Sequence, residues 1–323
     1  MASFIVDVNA TAADFDEAGY LAANPDVAAA LRDGNLKSGR EHFLAFGQAE
    51  GRKQRSLSRL KDAKARKFER LRPILRQDMP HVQDEFMFDF LTEDLRKEFN
   101  IIDTSAVSSN NYDRYVQEII ARYDDGLILD CGAGCRAIYF DNVVNFEIVA
   151  YETTDVRGVG EVLPFKDDSF DAVFSIAVLE HVKDPFRCAR EIARVLKPGG
   201  ELFAAVPFLQ PLHGYPHHYY NMTHQGLQNL FADHLKIDRT DCYYSSLPIW
   251  SLSWILRSWA GGLPNEAREE FLSLRVADLI GPPEEHMGRS YVTELPFEKN
   301  LELASGTTIW AHKPKVSLPA GKA

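Results

Sequence analysis

Cysteine is scarce. The four thiols in 323 residues, Cys131, Cys135, Cys188 and Cys242, are too scattered for a disulfide framework, and no CxxC pair suggests zinc. They read as reduced thiols, and no metal site is expected. Also absent is any run of roughly 18 uncharged apolar residues of the kind that spans a membrane. The stretch Met1 to Tyr20 carries acids where a signal peptide carries bases. A cytoplasmic protein is therefore expected. Positive charge is in short supply as well. With 36 Lys and Arg against 47 Asp and Glu, the formal charge of −11 argues against a protein that coats nucleic acid, because such proteins neutralise phosphates with clustered bases. One local exception stands out. Between Arg52 and Arg76, eleven Lys or Arg face two acids, Asp62 and Glu69, giving +9. Leu57, Leu60, Phe68 and Leu71 recur there at roughly helical spacing, so a basic amphipathic helix ending near Pro73 is expected. Two readings apply to it: a solvated linker helix, or peripheral contact of 52–76 with an anionic membrane surface.

What the sequence does have is apolar content, 45% hydrophobic and 11% aromatic, enough for a sizeable core and for more than one domain. From Asp14 to Arg52, the residues Phe15, Tyr20, Leu21, Val27, Leu31, His42, Phe43 and Phe46 are spaced for short helices broken at Asn24-Pro25 and at Gly34, Gly47 and Gly51. This small helical module resembles a unit of the form YLAANPDV…EHF..FG..EGR found at the ends of various bacterial multidomain proteins. A helix over Tyr112–Tyr123 then leads into alternating signals. Leu127–Asp130, Phe146–Val149, Asp171–Ile176, Glu201–Val206 and Thr307–His312 read as strands. Pro185–Leu196 reads as a helix, capped by Asp184, opened by Pro185 and stopped by Pro198-Gly199-Gly200. Alternation of this kind predicts a doubly wound α/β sheet.

The first chemical constellation is Leu127-Ile-Leu-Asp-Cys-Gly-Ala-Gly134, a buried strand ending in an acid and followed by two glycines spaced by one. Glycines there let the backbone approach a ligand at the carboxyl end of the strands. Ala137 falls where the third small residue of a dinucleotide turn would sit, so spacing alone leaves NAD open. The rest of the pattern decides. Asp130-x-Gly132-x-Gly134, Leu163-Pro-Phe165, Ser169-Phe-Asp171, Val178-Leu-Glu-His-Val182 and Arg194-Val-Leu-Lys-Pro-Gly-Gly200, in that order and spacing, resemble the class I S-adenosylmethionine-dependent methyltransferases, in particular the group with the VLEHV and LKPGG motifs.

The resemblance implies a Rossmann-like, doubly wound, mostly parallel seven-stranded sheet. It also implies S-adenosylmethionine as cofactor and S-adenosylhomocysteine as product. Gly132, Ala133 and Gly134 would pass under the methionine part and ribose, Asp130 would orient that loop, and Glu147 would accept the ribose hydroxyls. Glu161 and Val162 would lie beside the adenine, with Ile176 and Ala177 near the sulfonium. Two departures accompany this. Only 17 positions separate Asp130 from Glu147, so the helix after the glycine turn must be short or irregular. Val159 stands where related sequences often place an aspartate.

The second constellation, Pro207 to Thr223, follows the fifth strand and carries His213, His217, His218, Tyr219 and Tyr220. Imidazoles and phenols in such a loop can supply a general base and a hydrogen-bonding wall for a polyhydroxyl acceptor. His213 and His218 are the candidate bases, and His217, Tyr219, Trp250 and Trp254 the candidate acceptor contacts. His181, in the Glu-His pair, is favoured as a structural residue that fixes its loop. The third stretch, Leu247 to Trp259, is apolar around most of a helix and reads as a buried helix, a lid, or a membrane-surface contact over 247–259. The expected organisation is a small helical module over 1–52, a basic linker helix over 53–80, a methyltransferase domain over 81–315 with a helical lid at 247–285, and a tail at 316–323. The expected reaction is methyl transfer to an oxygen nucleophile on a small molecule or glycan. The rival is a non-catalytic scaffold of the same fold.

Overall fold

The computed structural model describes residues 3–104, 111–214, 216–242 and 244–308. The chain divides into two units, Met1–Phe208 with Gly214–Thr240, and Leu209–His213 with Asp241–Ala323.

In the first unit, β1 (Ser3–Ile5) and β2 (Asp7–Asn9) precede α1 (Glu17–Ala23), α2 (Pro25–Arg32) and α3 (Gly39–His42), which continues into a π-helical turn, Phe43–Gly47. Short helices thus form between Asp14 and Arg52, with strands the sequence does not advertise, and the segment belongs to the same unit as the main sheet. β2 pairs antiparallel with β3 (Lys53–Arg55). Tyr20 is fully buried against Phe15 and Phe43, and its hydroxyl meets His42 Nδ1 at 3.0 Å. Asn24 donates to the carbonyls of Tyr20 and Lys53 at 2.7 and 2.8 Å, and Pro25 opens α2 where a missing N–H costs nothing.

The basic helix forms as α4 (Leu57–Leu71), but neither reading of its surroundings holds. Its apolar stripe, Leu60, Ala63, Phe68 and Leu71, is buried, and so are Lys64 and Lys67, at 0% and 1% exposure. The lysines can follow the stripe inward because acceptors await them. Lys67 Nζ donates to Asp155 Oδ2 at 2.8 Å and to the Val143 carbonyl; Lys64 Nζ donates to the carbonyls of Phe86, at 2.8 Å, and Thr154. Outward bases meet acids of the same unit, Lys61 on Glu85 and Arg66 on Asp141, as Arg55 meets Asp7 and Glu152. The segment expected as a solvated or membrane-facing linker is thus a core helix.

Further on come β4 (Val82–Gln83), β5 (Phe88–Asp89), α5 (Glu93–Phe99), α6 (Arg114–Arg122), β6 (Ile128–Cys131), β7 (Ile138–Phe140), β8 (Val143–Glu147), β9 (Val156–Arg157), β10 (Phe170–Ile176), α7 (Pro185–Val195), β11 (Leu196–Ala205) and α8 (His224–Phe231). The main sheet has seven strands in the order β11-β10-β6-β8-β9-β5-β4, all parallel to their neighbours except β4 on β5. Leu129, Val144 and Val173 pack on α4 and α7 residues on one face, while Ile128, Val143, Ala172 and Phe174 pack on α6 on the other. Strands buried on both faces need near-continuous apolar runs, which is what β6, β8 and β10 supply. The strand expected at Thr307–His312 lies mostly outside the described residues, and β5 and β4 bring the sheet to seven. Where related folds place a helix after the glycine turn, this chain has β7, paired antiparallel with β1.

In the second unit, α9 (Pro248–Gly262) and α10 (Asn265–Ser273) share a small core of Ala260, Leu263, Ala267, Phe271, Tyr291 and Leu295. Trp259 stacks on Phe271 at 5.4 Å and donates its indole N–H to the Tyr291 carbonyl at 2.7 Å. Among the described residues, no helix is long and apolar enough to cross a membrane.

Candidate functional site

After β4 and β5 at one edge, the sheet resumes in its middle with β6. From β6 the chain works outward through β8 and β9, then returns to β10 on the other side, so the connections diverge at the carboxyl ends of β6 and β10. Open α/β sheets bind ligands in the crevice at such a switch point. The glycine turn leaves β6 at this place. Gly132 has φ 89° and Gly134 φ 63°, both left-handed, and a Cβ on Gly132 would stand 2.3 Å from Val178 Cγ2. The amides of Gly132 and Ala133 donate to the Phe146 carbonyl at 2.9 and 3.0 Å, tying the turn to β8. Gly134 donates to Glu147 Oε2 at 2.8 Å, and Ile148 to Glu147 Oε1 at 2.8 Å. Burial pushes the Glu147 carboxyl up, while these amides oppose the shift. Val149 adds a third, longer bond to Oε1 at 3.4 Å, and the carboxylate keeps a free lone pair on Oε2 for a further donor. Across the crevice, Ile176 ends β10 and Ala177 takes a left-handed φ of 55°, its amide donating to the Ala205 carbonyl at 2.9 Å.

Asp130 is fully buried beneath the turn. Its Oδ2 accepts from the Arg136 guanidinium and the Tyr112 hydroxyl, and Arg136 Cζ lies 4.1 Å over the Tyr112 ring. Burial and then the Asp130 charge push the Tyr112 phenol far up, so it stays a donor. Asp130 Oδ1 has no partner. Sequence reasoning missed Tyr112 and Arg136. Tyr112 is far along the chain, and Arg136 attracts attention only as the residue two after Gly134. A buried orphan acceptor, a turn only glycine fits and a second carboxylate at the end of the next strand suit S-adenosylmethionine, which offers an ammonium and a vicinal diol. Asp130, Gly132, Ala133, Gly134 and Glu147 are the residues that could hold it, and the group supplies a methyl on a positively charged sulfur.

The adenine candidates are placed differently. Glu161 is 2% exposed and accepts from the amides of Lys183, at 3.0 Å, and Asp184, at 3.3 Å, so its carboxylate holds the loop entering α7. Val162 packs on Leu91, Phe99 and the buried Val159. An aspartate at Val159 would therefore be an unpaired charge in an apolar cluster.

The acceptor candidates fall in both units. In the first, His217 Nε2 lies 2.9 Å from the Asn100 carbonyl, and Asn100 also donates to the Tyr219 hydroxyl at 3.2 Å. His218 Nε2 is 2.9 Å from Asn221 Oδ1, and its ring meets His181 edge-on at 5.4 Å. His181 donates from Nδ1 to the His217 carbonyl at 2.7 Å, and its ring rests on Gly214, where a Cβ would come within 2.2 Å of Cε1. It fixes the loop, as the sequence suggests. In the second unit, His213 has Nδ1 2.8 Å from the Pro211 carbonyl and its ring 5.1 Å from that of Trp254, while Trp250 donates to the Tyr244 carbonyl at 2.8 Å.

The parallel sheet, the glycine turn at its switch point and the acids of β6 and β8 define a class I, S-adenosylmethionine-dependent methyltransferase domain. Residues 131–204 match the family described as "Methyltransferase domain". Over 174 residues the chain is 24% identical to the ubiquinone/menaquinone biosynthesis C-methyltransferase UbiE of Pasteurella multocida, covering 53% of this chain and 63% of that protein. It is 40% identical over 67 residues to cycloartenol-C-24-methyltransferase 1 of Oryza sativa subsp. japonica, covering 21% and 18% of the two chains. It thus spans less than two thirds of the length of these curated relatives. Among solved structures it resembles the YcgJ protein of Bacillus subtilis with a TM-score of 0.33 and 23% identity, over 53% of this chain and 87% of that one.

Proposed function

We propose that the protein transfers the methyl group of S-adenosylmethionine to an oxygen nucleophile on a small molecule or glycan. The observation that carries this reading is the rim of His217, His218, Tyr219 and Tyr220, held at the carboxyl edge of the sheet by backbone bonds from Tyr219 and Tyr220 to the Glu180 carbonyl. Such a rim suits an acceptor rich in hydroxyls. His213 and His218 are candidate bases, and His217, Tyr219, Trp250 and Trp254 candidate acceptor contacts. Methyl transfer is an in-line displacement, so aligning the nucleophile and excluding water matter as much as the base. A carbon acceptor is the second reading, favoured by the names of the UbiE and cycloartenol relatives. Peripheral membrane contact is retained only for 247–259, where Ile249, Trp250 and Leu252 are exposed.

Calorimetric titration with S-adenosylhomocysteine, with NAD as control, tests the cofactor site. Glu147→Ala removes a carboxylate that orders the turn through Gly134. A hydrogen bond to a charged group is worth about 1.5–3 kcal/mol, so binding should weaken about 10- to 100-fold. Unchanged affinity in the variant would remove Glu147 from the site, and binding of NAD alone would overturn the whole reading.

A further inference from the structure

Among the described residues, five buried side-chain atoms have no hydrogen-bond partner: Asp130 Oδ1, Asn142 Oδ1, Ser175 Oγ and both carboxylate oxygens of Glu180. Four of these five lie on β6, on β10 or in the turn after β10, at the switch point. Leaving a buried polar atom unpaired costs about 1–3 kcal/mol, so such a cluster marks a place where a ligand completes the bonding.

Glu180 is the extreme case, fully buried with neither oxygen satisfied. The backbone aims it. Ala177 turns the chain with its left-handed φ, Val178 abuts Gly132, and two residues later the Glu180 carbonyl is gripped by the amides of Tyr219 at 2.7 Å and Tyr220 at 3.2 Å. The same short turn therefore touches the cofactor loop on one side and the proposed acceptor loop on the other. Within the first unit, His181 is the titratable side chain facing it, with Nε2 3.8 Å from Glu180 Oε1. His181 Nδ1 is tied to the His217 carbonyl, so Nε2 is the ring nitrogen nearer the carboxyl.

We propose that Glu180 is the catalytic base that takes the acceptor's proton. This rests on the oxygen-acceptor reading above. The Glu180 carboxylate accepts a hydrogen bond from the acceptor hydroxyl. As the oxygen–methyl bond forms and the sulfur–methyl bond breaks, the hydroxyl proton moves to Glu180. Charges balance: a sulfonium and a carboxylate become a neutral thioether and a neutral carboxyl, a change that a dry site favours. Burial, with no charged neighbour contributing, pushes Glu180 up to about 8, which makes it a stronger base than an ordinary carboxylate.

The test uses the full chain, Glu180→Gln and Glu180→Asp. Cofactor binding is followed by calorimetry at pH 7.5 in buffers of different ionisation heat. Cationic S-adenosylmethionine should release a fraction of a proton from the wild type and neutral S-adenosylhomocysteine should not; in Glu180→Gln the difference should vanish while both still bind. Equal proton release for the two cofactors in the wild type overturns the proposal without any acceptor or variant. Methyl glycosides and catechol are then offered with radiolabelled S-adenosylmethionine. The expected result is a wild-type kcat/KM that climbs with pH toward about 8 and falls by at least about 100-fold in Glu180→Gln, with partial retention in Glu180→Asp. Undiminished transfer by Glu180→Gln sinks the base alone. Transfer confined to carbon or nitrogen acceptors sinks the oxygen reading and, with it, the hydroxyl step assigned to Glu180.

Discussion

Asp155→Ala is expected to cost about 3–5 kcal/mol of stability, a large share of the roughly 5–15 kcal/mol that holds a typical domain together. The carboxylate is fully buried and serves three elements at once. It accepts from Lys67 of α4 at 2.8 Å, from the Tyr139 hydroxyl of β7 and from the Asn145 amide of β8 at 2.9 Å, with Lys64 Nζ a further 3.6 Å away. Its removal leaves two ammonium groups inside the protein without a counter-charge. Urea unfolding at pH 7 measures the loss, and a value below about 1 kcal/mol would show that the cluster is incidental. Lys67→Met in the same chain should recover part of it, because one of the stranded charges is gone. The deficit should also depend on pH. Burial pushes Lys64 down to about 8, below its unfolded value of roughly 10.4. A group with a lowered folded value stabilises fully above the unfolded value and loses that contribution as pH falls through the folded one, so the penalty should be larger at pH 7 than at pH 10.

Gly132→Val should abolish binding of S-adenosylhomocysteine and cost about 2–5 kcal/mol as well. Two separate effects add. A left-handed residue other than glycine carries about 1–2 kcal/mol, and forcing extra carbons into a packed interior about 1–3 kcal/mol. Both apply here, since Gly132 has φ 89° and its missing Cβ would lie 2.3 Å from Val178. Val178→Ala separates them: added to Gly132→Val it should restore stability in part by opening space, yet leave binding lost because the turn is still strained. Full recovery of binding in the double variant would mean that the backbone angle at Gly132 is unimportant to the site.

The parts of this fold that the sequence displays are those governed by local rules. The helix at Pro185–Val195 is framed by Asp184 at its cap and a proline at its start, and both appear in the structure, with Asp184 accepting from Arg187. β6 and the glycine turn are legible because a buried strand followed by two spaced glycines has few alternatives. What stays hidden depends on partners far along the chain. Lys64 and Lys67 look like solvent residues until Asp155 is placed beneath them. β7 is short and unremarkable until β1 is there to pair with it. At the site, the Glu-His pair draws the eye to the imidazole, yet His181 is a brace, and the neighbouring carboxyl without partners is the group that calls for explanation. Burial of that carboxyl has no periodicity or composition signal.

The pairing of β1 with β7 also bears on the order of events during synthesis. Ser3–Ile5 leaves the ribosome early, but its partner Ile138–Phe140 follows more than a hundred residues later. At roughly 5–20 residues per second, the first strand waits on the order of ten seconds for its mate. Lys67 waits through 88 residues for Asp155. The nascent amino-terminal third thus spends that interval with an unpaired edge and two lysines whose burial awaits a later carboxylate, a window in which holding chaperones would find it and in which folding is paced by translation rather than by local helix formation.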